Sequence, residues 1–286
     1  MQRGEPVEGT ALDLRRVLLL SVPRGHWRPR RSAAGLSPVL AEAQAYAYSK
    51  SPYALFMDKV ESRVAVPQLT AFPENQVLDG VDDETLAAAM RRWADGGEIG
   101  GTRVERISIL VCTDSRTDAC CARYGFATYK ALVAQADPAR FNIVQCNHLG
   151  GCRFATSICV QPRAERYGRL RPEQVPEFLA AVGRGETYLP LSMGRIGLAE
   201  PEQVAELAAR RFAVAAGIAD QPAALHALVA GDRERRYRAE IGGLVLDVDI
   251  ERRDFLRHGH CDAVNDPPAE VKRWVAQSVM ESAGRP

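Results

Sequence analysis

Four residues in two short loops offer the donor atoms of a metal centre. Cys112 and Cys121 enclose eight residues, His148 and Cys152 enclose three, and 26 lie between the pairs. Thiolate ligands, with imidazole able to replace them, are the chemistry of two-iron, two-sulfide centres. The spacing is that with which two loops of one small domain would grip such a 2Fe-2S cluster. Gly150 and Gly151 let the second loop curl around an inorganic core with no side chain in the way. Three cysteines and one histidine also make a zinc set, but zinc ligands usually come in pairs roughly two to four residues apart, which the first pair does not match. Cys120, beside Cys121, is the alternative donor in the first loop.

The elements that must position these residues follow from the patterning. The run 106–112 (RISILVC) reads as a buried strand ending on Cys112. A helix over 123–136 follows, with Cys121 at its start, where the positive end of the helix dipole lowers a thiol's pKa. A second strand over 141–146 leads into the histidine loop, then a hairpin from 156–161 and 166–170, then a helix with Pro172 in its first turn and Gly183 and Gly185 at its end. Strand, helix, strand, hairpin, helix is a thioredoxin-like order.

The same order occurs earlier: strand 15–22, helix 37–49, strands 53–57 and 63–69, helix 82–94. DDETLAAAMRRWADGGEI (82–99) parallels RPEQVPEFLAAVGRGETY (171–188), so that Gly97-Glu98 corresponds to Gly185-Glu186. The expectation is an α/β chain of two tandem, duplicated thioredoxin-like domains, the second carrying the cluster, with a small α+β extension at the C-terminal end. The boundaries read as 1–98 for the domain without ligands, 102–216 for the ferredoxin domain and 217–286 for the extension. Residues 96–102 form the linker. In the last part an amphipathic helix from Pro201 to about Ala216 precedes a hairpin, 237–241 with 244–250, turned by Gly242-Gly243. Residues 269–280 read equally as helix or strand.

The stretches CTDSRTDACCARYG (112–125), CNHLGGCRFA (146–155) and YGRLRPEQVPEFLAA (167–181), with GEPVEGTA (4–11), RRVLLL (15–20) and GRIGL (194–198), resemble the sucrase/ferredoxin-like family of thioredoxin-fold ferredoxins. The resemblance implies a 2Fe-2S cluster in which the positions of Cys112 and Cys121 ligate one iron and those of an H-x-G-G-H motif ligate the other. Here that motif ends in Cys152 instead of histidine. An oxidised core of charge plus two, three thiolates and a neutral imidazole sum to minus one. That lies between minus two for four thiolates and zero for two thiolates with two imidazoles. The reduction potential is therefore expected between those of the two parent classes. Despite the family's name, no carboxylate pair in a glycosidase motif supports sugar hydrolysis.

Composition removes other classes. With 37 basic and 36 acidic side chains the net charge is +1, so neither nucleic acid nor an acidic membrane surface is an expected partner. Residues 1–17 carry Glu5, Glu8 and Asp13 without an apolar core, which is unlike a signal peptide, and a cytoplasmic location is expected. No G-x-G-x-x-G fingerprint occurs in a strand-to-helix turn, so an electron-transfer protein of this kind would depend on a separate redox partner protein. The alternatives are a cluster-dependent oxidoreductase acting on a small molecule or metal chelate, and a zinc-stabilised binding module.

The remaining candidates have blander readings. Cys146 and Cys159 lie on strands, where a buried inert thiol is the default. His226 falls in an apolar stretch with helical spacing and reads as packed; His258, His260 and Cys261 read as an ordinary loop. The first copy has no cysteine, and in place of the cluster loop it carries residues 23–31 (PRGHWRPRR). Arg28, Arg30 and Arg31 there suggest a basic docking surface for an acidic partner; the plainer reading is a solvated loop with Trp27 partly packed.

Overall fold

A computed structural model describes residues 4–59 and 67–282, the side chain of Arg30 apart. It resolves into two compact units, one of residues 13–164 and 170–175, the other of residues 1–12, 165–169 and 176–286. No helix among the described residues is long and apolar enough to cross a membrane.

The larger unit contains β1 (Val17–Ser21), β2 (Trp27–Arg28), β3 (Ser32–Ala33), α1 (Pro38–Lys50), β4 (Ala54–Asp58), β5 (Leu69–Phe72), β6 (Gln76–Leu78), α2 (Asp83–Ala94), β7 (Thr102–Arg103), β8 (Ile107–Cys112), α3 (Phe126–Gln135), β9 (Phe141–Cys146) and β10 (Ser157–Gln161). The short β2 and β3 pair with each other. The other strands form one sheet in the order β10-β8-β9-β4-β1-β5-β6-β7. Its wiring occurs twice. β1 runs parallel to β4 with α1 between them and antiparallel to β5; β8 runs parallel to β9 with α3 between them and antiparallel to β10. The two stretches join where β4 meets β9 antiparallel, Met57 opposite Cys146 and Asp58 opposite Gln145. The strand expected over 63–69 begins only at Leu69: residues 63–66 lie outside the described residues, and Pro67 and Gln68 precede the strand; the expected linker contributes β7 to the sheet edge.

Strand alternation decides what each face buries. On β1, Leu18 and Leu20 face a core with Leu40, Ala43 and Ala47 of α1 and Leu86, Met90 and Trp93 of α2. Val17 and Leu19 belong to a second core with Leu55, Met57, Leu110 and Val144, and this core also holds Cys112, Cys121, Cys146, Cys152 and Cys159. α2 starts as the sequence predicts: Asp82 accepts the Thr85 N–H at 2.7 Å, satisfying a donor the helix leaves open.

The smaller unit comprises β11 (Glu165–Gly168), α4 (Val175–Arg184, all but its first residue), α5 (Glu200–Ala215), β12 (Ala224–Ala230), β13 (Glu234–Ile241), β14 (Leu244–Arg257) and β15 (Ala269–Glu281). The last four form an antiparallel sheet in sequence order. Ala205, Ala209 and Ala213 of α5 pack on Tyr237, Ala239, Leu246, Val248 and Trp274, so the sequence boundary at 216 falls between this helix and the sheet that covers it. Gly242 and Gly243 both have positive φ, as a two-residue hairpin turn requires. Residues 269–280, ambiguous by periodicity, are strand because β14 offers a long partner edge. The helical reading of the His226 stretch is corrected: His226 lies on β12, paired with β13, with its side chain exposed beside Glu240. Pairing overrides the helix propensity of its alanines and leucines.

Candidate metal centre

Cys112 is the last residue of β8, and its sulfur lies in the core beneath the loop that follows. That loop is shaped by two buried aspartates. Asp114 accepts the Arg116 N–H at 2.8 Å and the Thr117 hydroxyl at 2.7 Å; Asp118 accepts the Cys120 N–H at 2.8 Å. Both are side-chain turns that fold eight residues back on themselves. The chain then enters a π-helical turn, Cys121–Gly125, before α3. Such turns are frequent at functional sites. The Cys121 N–H is bonded to the Asp118 carbonyl at 3.1 Å, fixing Cys121 at the start of the helix.

The second loop leaves β9 at Cys146. Asn147 ties it to the neighbouring half of the sheet, accepting the Phe56 N–H at 2.8 Å and donating its own N–H to the Phe56 carbonyl at 3.1 Å. Gly150 and Gly151 hold φ of +79° and +72°, left-handed values that L side chains rarely adopt. Their turn brings the Cys152 sulfur to 3.3 Å from Nδ1 of His148.

All four candidate residues meet. Cys121 hydrogen-bonds with both Cys112 and Cys152, and the backbone N–H groups of Asp114 and Leu149 are directed at the Cys112 sulfur, one from each loop. Cys112 and Cys121 are fully buried, Cys152 is 7% exposed and His148 half-buried. The contacts polarise the thiols. Hydrogen bonding from Cys121 lowers Cys112 and, reinforced by His148, brings Cys152 down to about 5. Cys121, hydrogen-bonded to both, is pushed up, first by Cys112 and then by Cys152. His148 is raised by its hydrogen bond with Cys152, against burial and the nearby charge of Arg31. Three polarised sulfurs and an imidazole converging from two loops fit a soft, thiolate-rich metal group. Cys121 is the residue of its loop that contacts the Cys112 and Cys152 sulfurs, and Cys146 and Cys159 are buried in the same core.

The arginine-rich loop of the first stretch behaves differently from a solvated face. Trp27 is 2% exposed and donates Nε1–H to the Val22 carbonyl at 2.9 Å. Arg24 and Arg31 turn toward the cysteine-bearing loops: Nη2 of Arg24 donates to the Thr113 carbonyl at 3.0 Å, and Nη2 of Arg31 to the His148 carbonyl at 3.2 Å. Arg28 is exposed and stays on its own loop, donating to the carbonyls of Gly25 and Trp27.

The model of the sucrase/ferredoxin-like family matches residues 7–192. Among solved structures, a thioredoxin-like 2Fe-2S ferredoxin from Aquifex aeolicus is 21% identical, with 34% of this chain and 97% of that chain covered and a TM-score of 0.30. A second structure, of the wild-type thioredoxin-like 2Fe-2S ferredoxin from Aquifex aeolicus, is 22% identical, with 32% and 100% covered and a TM-score of 0.29. No curated protein matches the chain.

Proposed function

The chain belongs to the sucrase/ferredoxin-like family, and we propose that it is an electron-transfer protein whose 2Fe-2S cluster is held by Cys112 and Cys121 on one iron and by His148 and Cys152 on the other. The observation that carries this reading is the convergence of three cysteine sulfurs and one imidazole from two loops in a buried core. When bound, the cluster would accept and release single electrons. The polypeptide supplies the donors, the N–H groups of Asp114 and Leu149 directed at the Cys112 sulfur, and a surround with little water.

A separate redox protein serves as donor or acceptor, because no nucleotide-binding fingerprint accompanies the site. We also read residues 1–98 and 102–216 as copies of one thioredoxin-like ancestor, followed by the extension 217–286. Two features support the duplication: the repeated strand wiring, and left-handed backbone at Asn75 and Ala164 and again at Gly80 and Arg169, each pair 89 residues apart.

Zinc is the second reading, favoured by the contact of Cys121 with sulfurs from both loops, since four donors around one point also suit a tetrahedral ion. Anaerobic purification with metal and sulfide analysis separates the two. A coloured protein with two irons and two sulfides per chain supports the cluster; a colourless one with one zinc and no sulfide overturns it.

A further inference from the structure

We propose that Arg31, contributed by the stretch that carries no cysteine, sets how readily the metal centre takes up an electron. This rests on the cluster reading above. Arg31 precedes His148 by 117 residues, yet its Nη2 donates to the His148 carbonyl at 3.2 Å. Its Nη1 is buried and has no hydrogen-bond partner, and the guanidinium carbon sits 5.1 Å from the ring centre of Tyr48. Among the described residues no carboxylate forms an ion pair with it. The backbone at Arg31 has φ +54°, a conformation uncommon for a residue with a side chain.

A guanidinium nitrogen buried without an acceptor costs free energy in an isolated protein. That cost falls when an anionic group lies nearby. Three thiolates, a neutral imidazole and the oxidised core sum to minus one, and one added electron makes the sum minus two. A fixed positive charge at the His148 loop favours the more negative state, so Arg31 raises the potential. Arg28 belongs to the same loop but keeps its guanidinium on that loop's own carbonyls, which makes it the natural control.

The test compares the full-length protein with Arg31→Gln, Arg31→Lys and Arg28→Gln, titrated with dithionite and mediators while the reduced signal is followed by electron paramagnetic resonance. At the potential where the wild type is half reduced, Arg31→Gln is expected to show a reduced-to-oxidised ratio about tenfold lower, a downward shift of about 59 mV for one electron. Arg31→Lys and Arg28→Gln should stay within about threefold of wild type. An unchanged potential in Arg31→Gln, or an equal drop in Arg28→Gln, overturns the proposal. Should Arg31→Gln fail to hold a cluster, Arg31→Lys decides. A wild-type potential there supports the charge, while a tenfold drop or a lost cluster refutes it. A wild-type protein without sulfide removes the cluster reading itself, and the role of Arg31 with it.

Discussion

A Cβ placed on Gly125 would lie 2.1 Å from the carbonyl oxygen of Cys112, far inside van der Waals contact. The missing side chain is what allows the π-helical turn to press against the end of β8 and set Cys121 beside Cys112. Gly125→Ala must push these elements apart. We expect a loss of about 1–3 kcal/mol in urea unfolding and fewer irons and sulfides per chain. Unchanged stability with a full cluster would show that the close approach does not matter.

If His148 and Cys152 hold the proposed cluster, exchanging one or the other should move the potential in opposite directions. Cys152→His gives the proposed centre a second imidazole and makes it less negative, so its potential should rise toward the roughly −150 to +300 mV range of two-histidine centres. His148→Cys adds a thiolate and should bring the potential down toward about −400 mV, with loss of the nitrogen hyperfine coupling of the reduced centre. If the two variants shift the same way, the charge argument fails. If the coupling persists without His148, His148 is not a ligand.

The convergence of Cys112, Cys121, His148 and Cys152 was legible in the sequence because ligand chemistry restricts both residue type and spacing, and the strands that end at Cys112 and Cys146 are mostly apolar runs. Helices at 38–50 and 83–94 lie within a residue or two of their expected ends, set by Ser37-Pro38 and by the Asp82 cap. What escaped reading depends on contacts between distant segments. Nothing in PRGHWRPRR distinguishes Arg31, which meets His148, from Arg28, which does not; only the antiparallel joining of β4 to β9 brings that loop to the site. Gly125 left a faint signal, a glycine inside a helical pattern, which often marks close backbone approach. Asp114 and Asp118 carry no signal in the sequence for the turns they form, because that role appears only when their N–H partners are known.

Lys59 should make stability depend on alkaline pH. Its ammonium donates to Oδ1 of Asn142, whose amide donates to Ser108 at 3.0 Å, and burial, with Arg106 adding, holds its pKa below the usual lysine value. Between that lowered value and about 10.4 the unfolded chain binds more protons than the folded one, so stability rises with pH across the interval. Below the interval the cost is fully present. Relative to Lys59→Met, the wild type should therefore gain stability in urea titrations as pH is raised toward about 10.4. A difference that stays flat or falls over that range would contradict the assignment.

Within the smaller unit, Arg210 on α5 meets Asp220 at 2.7 Å, with side chains only 7% and 9% exposed. The pair is closed by a third residue: Arg210 donates to the Thr187 hydroxyl at 2.8 Å, and the Thr187 N–H donates to Asp220 at 3.0 Å. Removing one member leaves a buried charge without its counterpart, so Arg210→Ala should cost about 3–5 kcal/mol. Replacing both ions with apolar residues of similar size, Arg210→Met with Asp220→Leu, removes the desolvation penalty together with the attraction, and should recover much of that loss. Thr187 is left with unmet groups in the double variant, which keeps recovery below full. Urea unfolding of Arg210→Met, Asp220→Leu and the double variant measures the coupling directly. Additive losses would mean that Arg210 and Asp220 act independently and that the apolar stripe of α5 alone holds the helix on its sheet.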